Sequence, residues 1–303
     1  MQVTNLATNE VIIEGLLQEM DLRDSQLQKN GANRDYVAGT VTVRVTQKVG
    51  ANEETSEIPI SVFATKLKND GNPNPAYKNI DEMRRNFVSL AAGGANADCI
   101  RISRGELNEN TFVSEGRTIT GFRIRNSFFN RAVTDIQHIA AFKNKIVLLS
   151  IEPEIDREGN QTNRLKIVGA LVVYGPRADV LTYYVEDPTA IAYISKNWQE
   201  GDTVNVSGRL RFTVETGSRD VEPVSVGFGE ALPETYTRTV RELIITSGSA
   251  GGLDEDEAYD HDAITNLLAE RKVRISQMAS KESTKASTPA AAQGGKKAFD
   301  GGF

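Results

Sequence analysis

Along most of this chain the apolar positions fall on every second residue. In residues 202–213, DTVNVSGRLRFT, Val204, Val206, Leu210 and Phe212 alternate with Asn205, Ser207, Arg209 and Arg211. That is the period of a strand with one buried and one wet face. The same period predicts strands over 10–20, 36–47, 57–67, 98–104 and 117–129, and again over 145–155, 164–174, 180–186, 202–213 and 236–246. Two stretches keep a helical period instead. Over 75–92, Tyr77, Ile80, Met83, Phe87 and Leu90 share a side, with Pro75 at the start and Gly93 and Gly94 at the end. A shorter helix is expected over 188–198, with Trp198 closing it against the core.

Each predicted helix sits between the third and fourth strands of a set of five. That order is the one found in the OB-fold, a small Greek-key barrel. The fold expected is therefore mainly β: two tandem OB-like five-stranded barrels over 1–134 and 135–250, then a tail over 251–303. Other all-β architectures and a mixed α/β arrangement stay open on pattern alone. Local matches support a duplication. SVFAT (61–65) answers TYYVE (182–186), GRTI (116–119) answers TRTV (237–240), and DCIRIS (98–103) resembles DTVNVS (202–207).

After residue 250 the pattern changes. LDEDEAYDHD (253–262) carries six carboxylates, 263–275 is expected to form a short helix, and 276–297 is polar and of low complexity, a composition that does not fold. The chain closes in AFDGGF, so Phe299 and Phe303 flank Asp300 on what is expected to be a flexible tether. Apolar rings there suit a partner's pocket.

Composition narrows the function. With 303 residues there is room for two cores, and no apolar run approaches the ~18–20 residues of a membrane span. The opening MQVTNLATNE lacks the basic start and apolar core of a signal peptide. A single cysteine, Cys99, leaves no internal disulfide and no Cys-cluster zinc site. A cytoplasmic setting is expected, without membrane contact. Net charge is −6, and residues 1–250 alone hold 28 basic against 32 acidic side chains. Residues 101–145 reverse this, with eight Lys/Arg against four Asp/Glu, and the local field decides partners more than the total does.

Catalytic chemistry has little to work with. His138 and His261 stand apart from any nucleophile motif, the Gly-Gly pairs lack a following Lys-Ser/Thr, and the acidic run lacks calcium-loop spacing. No enzyme, no metal site and no cofactor are expected. Binding fits better. Single-stranded nucleic acid is held by a cationic groove and by rings on which bases stack. Phe63 falls on the wet side of its strand, and Tyr184 falls on the equivalent side in the repeat. Arg123, Arg125, Arg209 and Arg211 occupy polar strand faces, Phe129 continues the arginine side, Arg101 alternates with Cys99, and Lys66 follows Phe63. These nine are the candidate nucleic-acid-binding residues. Rings packed under a loop, and arginines paired to glutamates, are the competing readings.

On the barrel-like strand order, GDTVNVSGRLRF and an end closing in phenylalanine, the chain resembles bacteriophage single-stranded DNA-binding proteins of the tandem OB type. The resemblance implies a non-enzymatic, sequence-independent coat for single-stranded DNA in phage replication, recombination or repair. It also implies a C-terminal tail that recruits replication or recombination proteins, here through Phe299, Asp300 and Phe303. The dense acid lies earlier than usual, at 254–262, and Lys296 and Lys297 precede the end. Self-association is left open. The alternative is a structural virion protein, in a tail or capsid, built from duplicated β-domains.

Overall fold

In the computed structural model, which describes residues 7–29, 32–114, 117–132, 136–156, 158–219 and 234–286, the alternating segments pair into two closed ladders. In the first, β1 (Asn9–Lys29) pairs with β2 (Ala32–Val49), and β2 with β3 (Asn52–Thr65). Strand β3 runs parallel to β5 (Arg117–Arg125), β5 is antiparallel to β4 (Cys99–Ser114), and β4 returns to β1. A two-residue strand, β6 (Asn130–Arg131), adds to the edge of β4. The second ladder repeats the circuit with β7 (Ile139–Ile155), β8 (Gln161–Val173), β9 (Arg177–Val185), β10 (Thr203–Arg219) and β11 (Glu234–Gly248). Strand β9 is parallel to β11, and β10 closes on β7. Both circuits are the five-stranded OB barrel.

The buried alternate residues fill each barrel, and a helix closes its end. Helix α1 (Pro75–Asn86) inserts Ile80 and Met83 into the first core. After α1 come α2 (Leu90–Gly93) and, in the second half of the chain, α3 (Pro188–Asn197), which inserts Ile194 and leads Trp198 into the core. Both α1 and α3 start the same way. Asn74 accepts from the Ala76 N–H, Asp187 accepts from the Ala190 N–H, and proline follows each cap. Residues 9–14 of β1 pair antiparallel with 139–144 of β7, so all eleven strands form one continuous hydrogen-bonded sheet.

Four expectations change. The helix expected over 75–92 breaks at Phe87, which is extended (φ −99°, ψ 142°), because Asp98 accepts the Val88 N–H at 2.8 Å and draws the chain out of the helix. Strands β1 and β2 run far past the expected residues 20 and 36, out to the pair Lys29↔Ala32. This ribbon projects beyond the core, so its pairing needs no apolar alternation. Gly39 (φ +150°) lets the strands meet, since a Cβ there would lie 1.9 Å from the Asp21 carbonyl oxygen. Strand β5 ends at Arg125 instead of continuing to residue 129.

The fourth change concerns the tail. Helix α4 (His261–Ala286) extends into the stretch expected not to fold. Its Ile264 packs with Tyr259 on Val147, Ala170 and Val172, on the outside of the second barrel, with Leu267 and Leu268 against them. The acidic run is docked beside it. Asp260 caps α4 through the Ala263 N–H, and the buried Lys145 donates to the Glu257 carbonyl at 3.1 Å. Phe299, Asp300 and Phe303 lie outside the described residues. Among the described residues no helix is long and apolar enough to cross a membrane.

Candidate nucleic-acid interface

The outer face of β2, β3, β5 and β4 in the first barrel gathers rings and unpaired cations. Phe63 is 44% exposed and rests against Tyr36 of β2, ring centroids 5.1 Å apart. Lys66 follows it, paired at 3.5 Å with Asp35 where both side chains are about half exposed, which leaves the pair weak. One strand over, Arg125 stands beside Ser61 and opposite Glu106, and Arg123 stands opposite Asn108. Both arginines are exposed, and neither forms an ion pair among the described residues. Burial, with the guanidinium charges of Arg125 and Arg177, holds the Arg123 pKa below its ordinary value. Two neighbouring guanidinium groups held in no ion pair are a place for an anion.

Past Arg125 the chain turns sharply. Asn126 donates from its backbone to the Ser61 carbonyl and from its side chain to the Phe128 carbonyl. Ser127 donates to the Phe63 carbonyl at 3.4 Å, which sets the half-exposed Phe128 (52%) next to the end of β3. Phe129, the last residue of the expected strand, lies four residues past the actual end of β5 and is 1% exposed. Its N–H and carbonyl are both held by the Asn79 side chain, at 2.7 and 3.0 Å. The expectation of a stacking role for Phe129 is corrected: the strand stops, the periodicity is lost, and the ring enters the core.

The second barrel completes this face through a turn. Between β8 and β9, Tyr174 (93% exposed) precedes Gly175 at φ +86°, as a tight three-residue hairpin requires. A cleft of about 350 Å³ lies between this turn and the first barrel, lined on one side by Arg104, Asn108, Arg125 and Phe128 and on the other by Tyr174 and Arg177. Arg104 reaches it through a bulge. Between the pairs Val11↔Gly105 and Ile13↔Ile102 strand β4 carries one extra residue, so Ser103 and Arg104 are both exposed. Arg177 is fixed by a bidentate pair with the buried Asp179, at 2.9 and 3.0 Å.

Arg101 lies elsewhere, pairing at 3.4 Å with the buried Glu14 of β1. The remaining three candidates belong to a different structure. Arg209 donates to Glu54 and Glu186, and Arg211 to Glu54, Glu186 and Glu242, at 2.6–3.3 Å. Arg164 joins through Glu154 and Glu242, and its guanidinium lies 4.3 Å over the Tyr184 ring. Burial alone would lower the Arg211 pKa, but its hydrogen bond to Glu186, the charges of Glu186 and Glu54, and its hydrogen bond to Glu242 raise it. The hydroxyl of Tyr184 is pushed up by burial and by Glu242 and Glu154. The expectation that Arg209, Arg211 and Tyr184 form a DNA surface is therefore corrected. Carboxylates neutralise the cations, and one face of the ring is already covered.

This network also joins the barrels. Glu54 belongs to β3, Phe212 of β10 donates its N–H to the buried Ser56 at 3.0 Å, and Phe122 meets Phe212 edge-on at 5.6 Å. A second clamp sits beside the cleft. The Glu109 N–H donates to Asp179 at 2.8 Å and the Val180 N–H donates to Glu109 at 3.0 Å. Arg271 of α4 grips Glu109 at 2.6 and 2.8 Å. Burial would raise the Glu109 pKa, but Arg271, Thr111 and the Val180 N–H together hold it below the ordinary carboxylate value.

Two closed five-stranded circuits, joined through β1 and β7, define a tandem OB-fold protein. Residues 7–281 match the YorF family, and the chain belongs to that family. No curated protein sequence matches it. Among solved structures it is similar to the wild-type single-stranded DNA binding protein from Thermus aquaticus. That match has 10% identity and a TM-score of 0.49, covering 82% of this chain and 95% of that one. A deletion mutant of the same Thermus aquaticus protein matches at 12% identity and a TM-score of 0.46, covering 82% and 96%. At such identities the likeness concerns architecture alone, and the strand pairing is what assigns the fold.

Proposed function

We propose that the protein binds single-stranded DNA along the outer face of its first barrel, with the β8–β9 turn of the second barrel as one wall. The observation that carries this reading is the unpaired arginine cluster, Arg123 and Arg125 with Arg104 close by, flanked by exposed Phe63, Phe128 and Tyr174. Guanidinium groups pair with phosphate in a planar fork. Each ring offers a stacking platform contributing about 1–3 kcal/mol per base. Among the described residues no group of three or more His, Cys, Asp or Glu is placed to hold a metal ion, and donors flanked by exposed rings suit holding a strand.

Coating exposed strands during phage DNA replication, recombination or repair is the role such a surface would serve. The AFDGGF end, with Phe299, Asp300 and Phe303, is the proposed contact for replication or recombination proteins. Fluorescence anisotropy with a labelled oligonucleotide tests the binding. Affinity should fall with salt, with a log–log slope of about −0.7 for each phosphate contacted. It should also fall when Phe63 and Phe128 are both changed to alanine. Salt-independent or absent binding by the folded protein would end the proposal.

A further inference from the structure

The cleft between the barrels contains a feature that neither phosphate tracking nor stacking uses. Asn108 lines it, is 3% exposed, and its Oδ1 has no hydrogen-bond partner. A buried acceptor left unmatched costs about 1–3 kcal/mol, so the position makes sense where a ligand supplies the donor. Two residues earlier on the same face of β4, Glu106 also lines the cleft, and its exposed carboxylate is in no ion pair among the described residues. A buried amide oxygen without a partner and an exposed carboxylate in no ion pair thus stand side by side, at the i and i+2 positions of one strand.

Around them the chemistry reverses. Arg104, Arg125 and Arg177 supply donors and positive charge, and Phe128 and Tyr174 supply ring faces. A divalent cation is disfavoured by the three guanidinium groups. An inorganic anion would satisfy the arginines but not Glu106 or Asn108. What fits is a flat, aromatic group with two adjacent donors on one edge and acceptors on another. Among the four DNA bases, guanine alone presents two neighbouring donors, N1–H and N2–H₂, and its O6 and N7 suit arginine.

Resting on the single-stranded DNA reading above, we propose that this cleft is a guanine-selective subsite within an otherwise sequence-tolerant DNA path. The N1–H and N2–H₂ groups donate to the Glu106 carboxylate and Asn108 Oδ1, the arginines face O6 and the flanking phosphate, and Phe128 or Tyr174 stacks on the base. Adenine, cytosine and thymine leave one acceptor unmet, and a site built to hydrogen-bond a group rejects the analogue that lacks it.

The test compares three labelled oligonucleotides against the full chain: an all-thymine tract, the same tract with one central guanine, and the same with hypoxanthine there. Hypoxanthine lacks only the 2-amino group. About tenfold tighter binding of the guanine strand, most of it lost with hypoxanthine, is the expected result. Asn108→Leu should bring the guanine and thymine strands to equal affinity. Because residue 108 is buried, Glu106→Met at an exposed position provides the second variant. Removing its charge strengthens binding to every strand, but the guanine-to-thymine ratio should collapse. Tight, salt-sensitive binding with equal affinity for all three strands would overturn the guanine subsite and leave the DNA reading standing. A guanine preference undiminished in Glu106→Met would also overturn it. Failure of every strand to bind would remove both.

Discussion

The two barrels share a strand circuit but put opposite chemistry on the same outer face. In the first, strand β5 carries Arg123 and Arg125 opposite Asn108 and Glu106 of β4. In the second the charges are exchanged: Glu242 of β11 stands opposite Arg211 of β10. The second face then closes on itself, as Arg164, Arg209 and Arg211 meet Glu54, Glu154, Glu186 and Glu242. On the first face Glu106 stands opposite Arg125, yet among the described residues neither Arg123 nor Arg125 forms an ion pair. A pair of arginines on a polar strand face is therefore not by itself an anion site; the number of carboxylates that the fold delivers to it decides.

The largest expected effect comes from opening the closed face. Arg211→Met removes the one cation that, among the described residues, touches Glu54, Glu186 and Glu242 together, leaving Arg209 and Arg164 to balance them. Removing one partner from a buried ion pair costs about 3–5 kcal/mol, which partial solvent access at Arg211 reduces to roughly 2–3 kcal/mol. Chemical denaturation should show that loss, while DNA affinity of the folded fraction stays at the wild-type value. A parallel loss of affinity would place the second barrel's arginines in the binding path after all.

Next in size is the reverse experiment on the open face. Arg123→Gln combined with Arg125→Gln should weaken oligonucleotide binding by about ten- to a hundredfold and flatten the salt slope by about 1.4. Stability should change by no more than about 0.5 kcal/mol, as for exposed positions elsewhere. Relief of their mutual repulsion favours a small gain over a loss. Smaller again is the ring comparison. Phe63→Ala should reduce affinity by about 1 kcal/mol, near the lower end for a stacked base, because Tyr36 beside it keeps part of the platform. Tyr184→Leu should leave affinity unchanged. Equal effects from the two would erase the distinction between the faces.

The smallest effect is a dependence on pH. Burial would raise the Glu186 pKa, but hydrogen bonding to Arg211 and the charges of Arg211, Arg209 and Arg164 bring it below the ordinary carboxylate value. A depressed carboxylate adds stability above its unfolded pKa and loses it as pH falls through the folded value. Glu186→Gln should therefore lower Tm by about 2–4 °C at neutral pH, the equivalent of roughly 1 kcal/mol in a chain of this size. The gap between variant and wild type should begin to narrow as pH falls below the ordinary glutamate value of about 4.3 and close below the depressed folded one. A gap that does not narrow at all on acidification would mean Glu186 acts through packing and not through charge.

Much of the architecture was legible before any pairing was known. The alternation at Val204, Val206, Leu210 and Phe212, and at Ile58, Ile60, Val62 and Ala64, marks buried faces that the barrels do bury. The Pro75 and Pro188 helix starts also stand where expected. Phe63 was legible as an exposed ring because one apolar residue on a wet face breaks a strict period. Phe129 was not, because the period only predicts orientation while the strand lasts, and Asn126 ends it. Tyr174 left a fainter mark: an aromatic ahead of Gly-Pro between two apolar runs is a ring on a turn, and a turn lies on the surface. Nothing local indicates Arg104, whose direction depends on a bulge set by the pairing of β4 with β1.

Side-chain alternation is a property of single strands, so this sequence determined on its own which positions of its regular strands face a core and the order, in each half, of five barrel strands with a helix after the third. Which arginines remain free is a different kind of quantity. Glu54 reaches Arg209 across 155 residues and Arg211 across 157, and Glu109 reaches Arg271 across 162. Electrostatic pairing acts over a few ångströms of space whatever the separation along the chain, so only the closed tertiary structure decided which cations are neutralised and which still face solvent.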